Sequence, residues 1–217
     1  MTVIGRRPTS SEDPFKWPFG DMPSESPKAL PGLDDFFSPQ GGGSSSLSSP
    51  QQSGSLPKPE EVIKDATVKK ALEEAWSDML KRSTKDQRQE VGFWIYYDPV
   101  KKQYYIGKKR YGMAVKNDGK VRGNISLGDE SPSINGVPAT AKVVASFHTH
   151  TPLTEIKDMM RKVGPSKEDI VNADKNKLPI IVYDYVGVKD PETGVYYVIG
   201  GHTSDADKKI YTYTPKK

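Results

Sequence analysis

The chain has 217 residues, 28% of them charged and 34% hydrophobic, and no cysteine. Disulfide frameworks, thiol nucleophiles, iron–sulfur clusters and cysteine-ligated zinc are therefore excluded, and no apolar run reaches the roughly 18 to 20 residues of a membrane-spanning helix. The formal net charge of +4 is a small surplus of 32 basic over 28 acidic residues, without the long basic stripe and interleaved aromatics of a nucleic-acid surface.

Residues 1–58 differ from the rest. Proline, glycine and serine make up 28 of these 58 residues, including the run Gly41-Gly42-Gly43-Ser44-Ser45-Ser46. Such a segment has little apolar surface to offset its ordering entropy, so it is expected to be disordered or to act as a docking segment. Phe15, Trp17, Phe19, Phe36 and Phe37 are its candidate contacts with a carrier or partner. Met1 to Arg7 is followed by proline and serine rather than an apolar stretch, so no Sec-type signal is expected. The folded domain is expected over 59–217.

Residues 60–82 read as one amphipathic helix, with Val62, Ile63, Ala66, Ala71, Leu72, Ala75, Trp76, Met79 and Leu80 at spacings of three, four and seven. Glu60 and Glu61 suit its start, and Lys81 and Arg82 its end. Val91 to Tyr97 then reads as a strand, 98–102 as a turn, and Gln103 to Gly107 as the returning strand of a hairpin. After a glycine-punctuated middle, Val143 to His150 is a short apolar strand ending in His-Thr-His. Ser166 to Asn176 reads as a second helix, Pro179 to Val186 as a strand, Val195 to Gly200 as another, and Lys209 to Thr214 as a last edge strand. Helices mixed with strands in this order predict an α/β or α+β domain, a mixed β-sheet flanked by helices.

Two features of this pattern carry chemistry. On a strand, His148 and His150 project to the same face, where two imidazoles can share one metal ion, serve one reaction, or simply pack. Ser166-Lys167-Glu168-Asp169 opens an apolar-periodic helix and reads as a capping box, Ser166 and Asp169 each bonding the other's backbone N–H. The first turn of a helix facing a strand end is also where a carboxylate completes a metal site. Zinc without cysteine needs histidine and carboxylate ligands and, if catalytic, an open position for water. His148, His150 and Asp169 form such a set.

Glu90 at a strand start, then His148-Thr149-His150, then Ser166-Lys167-Glu168-Asp169 resembles the signature of the JAMM (MPN-plus) metalloproteases, Glu…His-x-His…Ser-x-x-Asp. The stretch Ala145-Ser146-Phe147-His148-Thr149-His150-Thr151-Pro152 is similar to bacterial JAB-like domains, including those at the C-termini of RHS and other polymorphic toxins. The resemblance spans residues 88–200. It implies a JAB/MPN-like fold with cytidine-deaminase-like layering and a zinc-dependent cleavage of amide or isopeptide bonds. His148, His150 and Asp169 would hold Zn²⁺, Glu90 would act as general base and then acid, and Ser166 would hydrogen-bond the oxyanion. It further implies a peptide or protein substrate and a bacterial effector or toxin made in the cytoplasm. Such an effector would be exported by a dedicated, type VI-like apparatus, with a cognate immunity protein or carrier as partner.

Two departures accompany the resemblance. Fifteen residues separate His150 from Ser166, a longer interval than is usual in that family, and Thr151 intervenes before Pro152. Within the extra residues, Ile156, Met159, Met160 and Val163 stand at helical spacing, so Leu153 to Val163 is expected to form an inserted helix or lid. If Ser166 and Asp169 direct their oxygens into a site, the capping box is expected to fail in part. His202 reads as a turn residue, and Trp94, Tyr96, Tyr104, Tyr105, Tyr196 and Tyr197 as sheet-face packing. The competing functions are a metal-free MPN-like interaction scaffold and a metal-dependent nuclease.

Overall fold

The computed structural model describes residues 56–157, 159–201 and 208–216. All of segment 1–58 but its last three residues lies outside them, its five aromatics included, as does His202. In chain order the elements are α1 (Pro59–Val62), α2 (Ala66–Arg82), β1 (Gln87–Arg88), β2 (Val91–Asp98), β3 (Gln103–Ile106), β4 (Arg110–Tyr111), β5 (Val115–Lys116), α3 (Pro132–Asn135), β6 (Lys142–Thr149), β7 (Met160–Lys162), α4 (Lys167–Asn176), β8 (Ile180–Tyr185), β9 (Val188–Lys189), β10 (Tyr196–Ile199) and β11 (Lys208–Tyr213). The domain is a mixed α+β structure with few helices.

The helix expected over 60–82 is broken into two. Asp65 adopts an extended backbone and its carboxylate accepts a hydrogen bond from the Val68 N–H at 3.0 Å. It is therefore an N-cap, and α2 restarts there because a capping aspartate satisfies donors that would otherwise stay unpaired. From that point Val68, Leu72, Ala75, Trp76 and Met79 form one buried stripe.

The main sheet runs β11-β8-β6-β2-β3, with β4 also pairing β2. Every pairing in it is antiparallel except β6 with β8, which is parallel. A parallel pair needs a crossover, and α4 lies in the connection between its two strands. Alternation along β8 shows the layering. Ile181, Tyr183 and Tyr185 join the core that α2 covers, together with Phe93, Ile95 and Phe147. Ile180 and Val182 pack instead with Ala173 of α4. One helix thus covers each face of the sheet.

Among the described residues of Leu153 to Val163, the expected inserted helix does not form. Residues 153–157 make turns, and 160–162 become β7, which pairs antiparallel with β10 and, through it, joins β9 in a second, three-stranded sheet. Leu153 and Ile156 are buried in the main core, whereas Met160 is exposed. The apolar spacing of this segment reflects two core anchors followed by an edge strand, not a helical stripe.

Candidate metal centre

Register places the site residues at one end of the sheet. In β2 and β6, Gly92 pairs with His148, and the Val91 N–H donates to Thr149 Oγ1 at 3.0 Å. Because β2 runs antiparallel to β6, the start of β2 meets the C-terminal end of β6. Glu90, two residues before Gly92, therefore shares the face that carries His148 and His150. In open sheets ligands gather at the carboxyl ends of parallel strands, and β6 followed by α4 is such a place.

The sequence-derived triad converges. His148 Nε2 stands 3.5 Å from Asp169 Oδ1, and His150 Nε2 stands 3.6 Å from Asp169 Oδ2. The two rings lie 5.1 Å apart by centroid. Ligand atoms of all three residues lie within 4.8 Å of one another, and both histidines are buried. The two nitrogen–oxygen distances are longer than ordinary hydrogen bonds. They approximate the edge of a tetrahedron, roughly 3.4 Å when each donor is about 2.1 Å from a central ion. His148, His150 and Asp169 can therefore hold a metal ion.

The capping box and the triad coexist, contrary to the conflict expected from sequence. Ser166 Oγ accepts from the Asp169 N–H at 3.1 Å, and Asp169 Oδ2 accepts from the Ser166 N–H at 2.7 Å. A carboxylate oxygen has lone pairs for both a backbone donor and a second partner, so the cap fixes Asp169 with its oxygens beside the imidazoles. Ser166, acting as acceptor in the cap, keeps its own O–H free to donate.

Glu90 is buried, with 8% of its surface exposed. Its backbone carbonyl accepts from the Gly112 N–H at 2.9 Å, and the loop residue Gly123 packs over its side chain, so closely that an added Cβ there would stand 2.9 Å from Oε1. Beneath it, the buried Arg88 ties down that loop through Lys116 O, Asn117 Oδ1 and Val121 O.

Sequence reasoning missed two residues of the site. Asp184 of β8 is fully buried, and its Oδ2 lies 3.0 Å from His150 Nδ1. Arg161, from β7, meets the same carboxylate with a two-pronged fork, NH1 to Oδ2 at 2.5 Å and NH2 to Oδ1 at 2.6 Å. The available signal was one acid inside the otherwise apolar strand Ile180 to Tyr185. Burial works against a charge on Asp184, but the Arg161 guanidinium and the hydrogen bonds from His150 and Arg161 outweigh it and hold its carboxyl well below the usual carboxylate range.

His150 and Asp169 stabilise each other's charges. Burial alone would lower the His150 pKa, yet the Asp169 carboxylate beside it and the hydrogen bond to Asp184 raise it from 6.5 to about 9. Burial likewise opposes ionisation of Asp169, and the His148 and His150 imidazoles beside it push its pKa far below normal. Without an ion the cluster is an internal imidazolium–carboxylate pair, and a divalent cation would replace the imidazolium proton. The expected aromatic packing also forms in part: Tyr104 meets Tyr97 across β2 and β3, the rings 5.0 Å apart by centroid and tilted by 52°, and the Tyr96 hydroxyl donates to Glu130 O at 2.8 Å.

No protein-family model, no curated protein and no solved structure matches this chain.

Proposed function

We propose that the domain is a zinc-dependent hydrolase with a JAB/MPN-like arrangement, cleaving amide or isopeptide bonds in a peptide or protein substrate. The observation that carries this reading is the convergence of His148, His150 and Asp169, with their ligand atoms within 4.8 Å of one another, on the sheet face and at the sheet end that also hold Glu90. A nitrogen–nitrogen–carboxylate set is the donor chemistry of catalytic zinc, and a zinc ion there supplies Lewis acidity and acidifies a coordinated water toward neutrality.

The chain's own residues supply the rest. Glu90 accepts the proton of the attacking water and returns it to the leaving amine, as base and then acid. Ser166, its lone pair engaged in the helix cap, donates its O–H to the developing oxyanion. Asp184 holds His150 by Nδ1, which leaves Nε2 as the ligating atom. A role as a secreted bacterial effector, with an immunity protein or carrier as partner, rests on the sequence resemblance alone.

The test pairs a peptide-library cleavage assay with the Glu90→Gln variant. Cleavage by the zinc-loaded wild type, lost by a factor of about 10² or more in Glu90→Gln with zinc retained, supports the hydrolase. A wild type that binds no zinc favours a metal-free interaction scaffold. A two-metal nuclease needs further ligands, and among the described residues only one such cluster is found.

A further inference from the structure

The segment 153–163 is where this chain departs most from the resemblance drawn above, and what it delivers is a guanidinium. Gly200 anchors the segment through its N–H to Met159 O at 2.7 Å, and β7 then pairs with β10 so that Arg161 stands opposite the buried Val198. Arg161 reaches inward from that edge. Besides its fork on Asp184, its NH2 reaches Thr151 O at 3.3 Å, the residue directly after His150. Asp184 in turn receives the Gly164 N–H at 2.8 Å on Oδ2 and the Tyr185 N–H at 2.7 Å on Oδ1. Both its oxygens are therefore fixed by two independent donors each, and Oδ2 is also aimed at His150 Nδ1.

This arrangement settles the imidazole's orientation. An ionised carboxylate only accepts and a guanidinium only donates. Arg161 NH1 also lies 3.2 Å from His150 Nδ1, but Asp184 Oδ2 at 3.0 Å demands a donor from that nitrogen. The proton therefore sits on Nδ1, and Nε2 is the nitrogen presented toward Asp169 and His148. We propose that Arg161 and Asp184 are positioning residues for the metal centre: the insertion acts as a clasp that locks the ring and tautomer of His150, and so sets how tightly the ion is held. This rests on the metal-centre reading and adds to it a dependence on a strand remote in sequence from the ligands. Loss of a carboxylate behind a ligating histidine weakens metal binding by about 10- to 100-fold in such sites.

The experiment is zinc affinity by competition with a chromophoric chelator, on the full chain, for wild type, Asp184→Asn, Arg161→Met and Arg161→Lys. Expected are 10- to 100-fold weaker binding in Asp184→Asn and a loss of about tenfold in Arg161→Met. Arg161→Lys keeps the charge without the fork, and is expected to bind zinc less tightly than wild type. It also covers the case in which Arg161→Met does not fold. A readout that needs no variant is the imidazole ¹⁵N–¹H spectrum of the zinc-loaded wild type, where His150 is expected to show a protonated Nδ1 and a ligating Nε2. Wild-type affinity in all folded variants, or ligation of His150 through Nδ1, would overturn the clasp. Those outcomes are distinct from failure of the centre itself, in which His148→Ala binds zinc as well as wild type.

Discussion

The side chains of Ser166 and Asp169 each accept the other's backbone N–H across the first turn of α4, and the Asp169 carboxylate so fixed lies 3.5 and 3.6 Å from the two imidazoles. The helix cap is thus the device that aims the Asp169 carboxylate at the two imidazoles. Its consequence is that the structural and chemical roles of Ser166 can be separated. Ser166→Ala should cost about 1 kcal/mol through the lost cap, whereas Ser166→Gly should cost only a few tenths, roughly 0.3 kcal/mol. If the hydroxyl also donates to an oxyanion, both variants should lose turnover by about 10²- to 10³-fold while retaining zinc. Urea denaturation together with peptide-cleavage kinetics checks the pair. Equal turnover in Ser166→Gly and wild type would leave the serine with its capping role only.

The buried charges give two opposed pH dependences. The His150 pKa in the metal-free protein lies above its ordinary value, 6.5 against about 9. Its contribution to stability is therefore fully present below about 6.5 and is lost as pH rises toward 9. Asp169 has a depressed pKa, so its contribution is present above the ordinary carboxylate range and is lost as pH falls below about 4. Denaturation of the zinc-free protein should accordingly show a decline in stability between pH 6.5 and 9. If His150 ligates zinc, the ion must displace its proton, so apparent affinity should rise over the same window, by up to about tenfold per pH unit. Calorimetry in two buffers of different ionisation enthalpy should detect the released proton.

The part of the fold legible in sequence is the part with enough residues to show a period. Val91 to Tyr97, Val143 to His150 and Pro179 to Val186 are long apolar runs, and all three are central strands of the sheet. The spacing from Ala71 to Leu80 predicted α2, but the restart at Asp65 was missed because Val62, Ile63 and Ala66 continue the same spacing across the break. The strands β1, β4, β5 and β9 hold two residues each, too few for any alternation. The segment 153–163 misled for a related reason: Ile156, Met159, Met160 and Val163 fit a helix over a short window, and only pairing with β10 decides otherwise. In the site, His148 and His150 were paired by the strand period and Asp169 was a candidate beside its capping role, and the resemblance to the metalloprotease signature joined the three. Asp184 and Arg161 carried no motif, because their pairing arises from the packing of β7 beside the end of β8.

Gly200 tests how the insertion is held. A Cβ at this position would stand 1.7 Å from the backbone carbonyl oxygen of Ile156, which belongs to the main chain and cannot rotate away. Gly200→Ala should therefore destabilise the fold by about 1–3 kcal/mol through forced backbone movement, measured by thermal or urea unfolding. Because the displaced chain leads into β7, zinc affinity should fall together with stability. Unchanged stability would mean that the contact between 156 and 200 relaxes freely.

The most direct test of the metal centre is elemental analysis of the purified protein after zinc loading and exhaustive dialysis. Wild type and Glu90→Gln should each retain about one zinc per chain, and His148→Ala should lose it while remaining folded. Equal zinc in His148→Ala and wild type, or a wild type that keeps none, would contradict the site built from His148, His150 and Asp169.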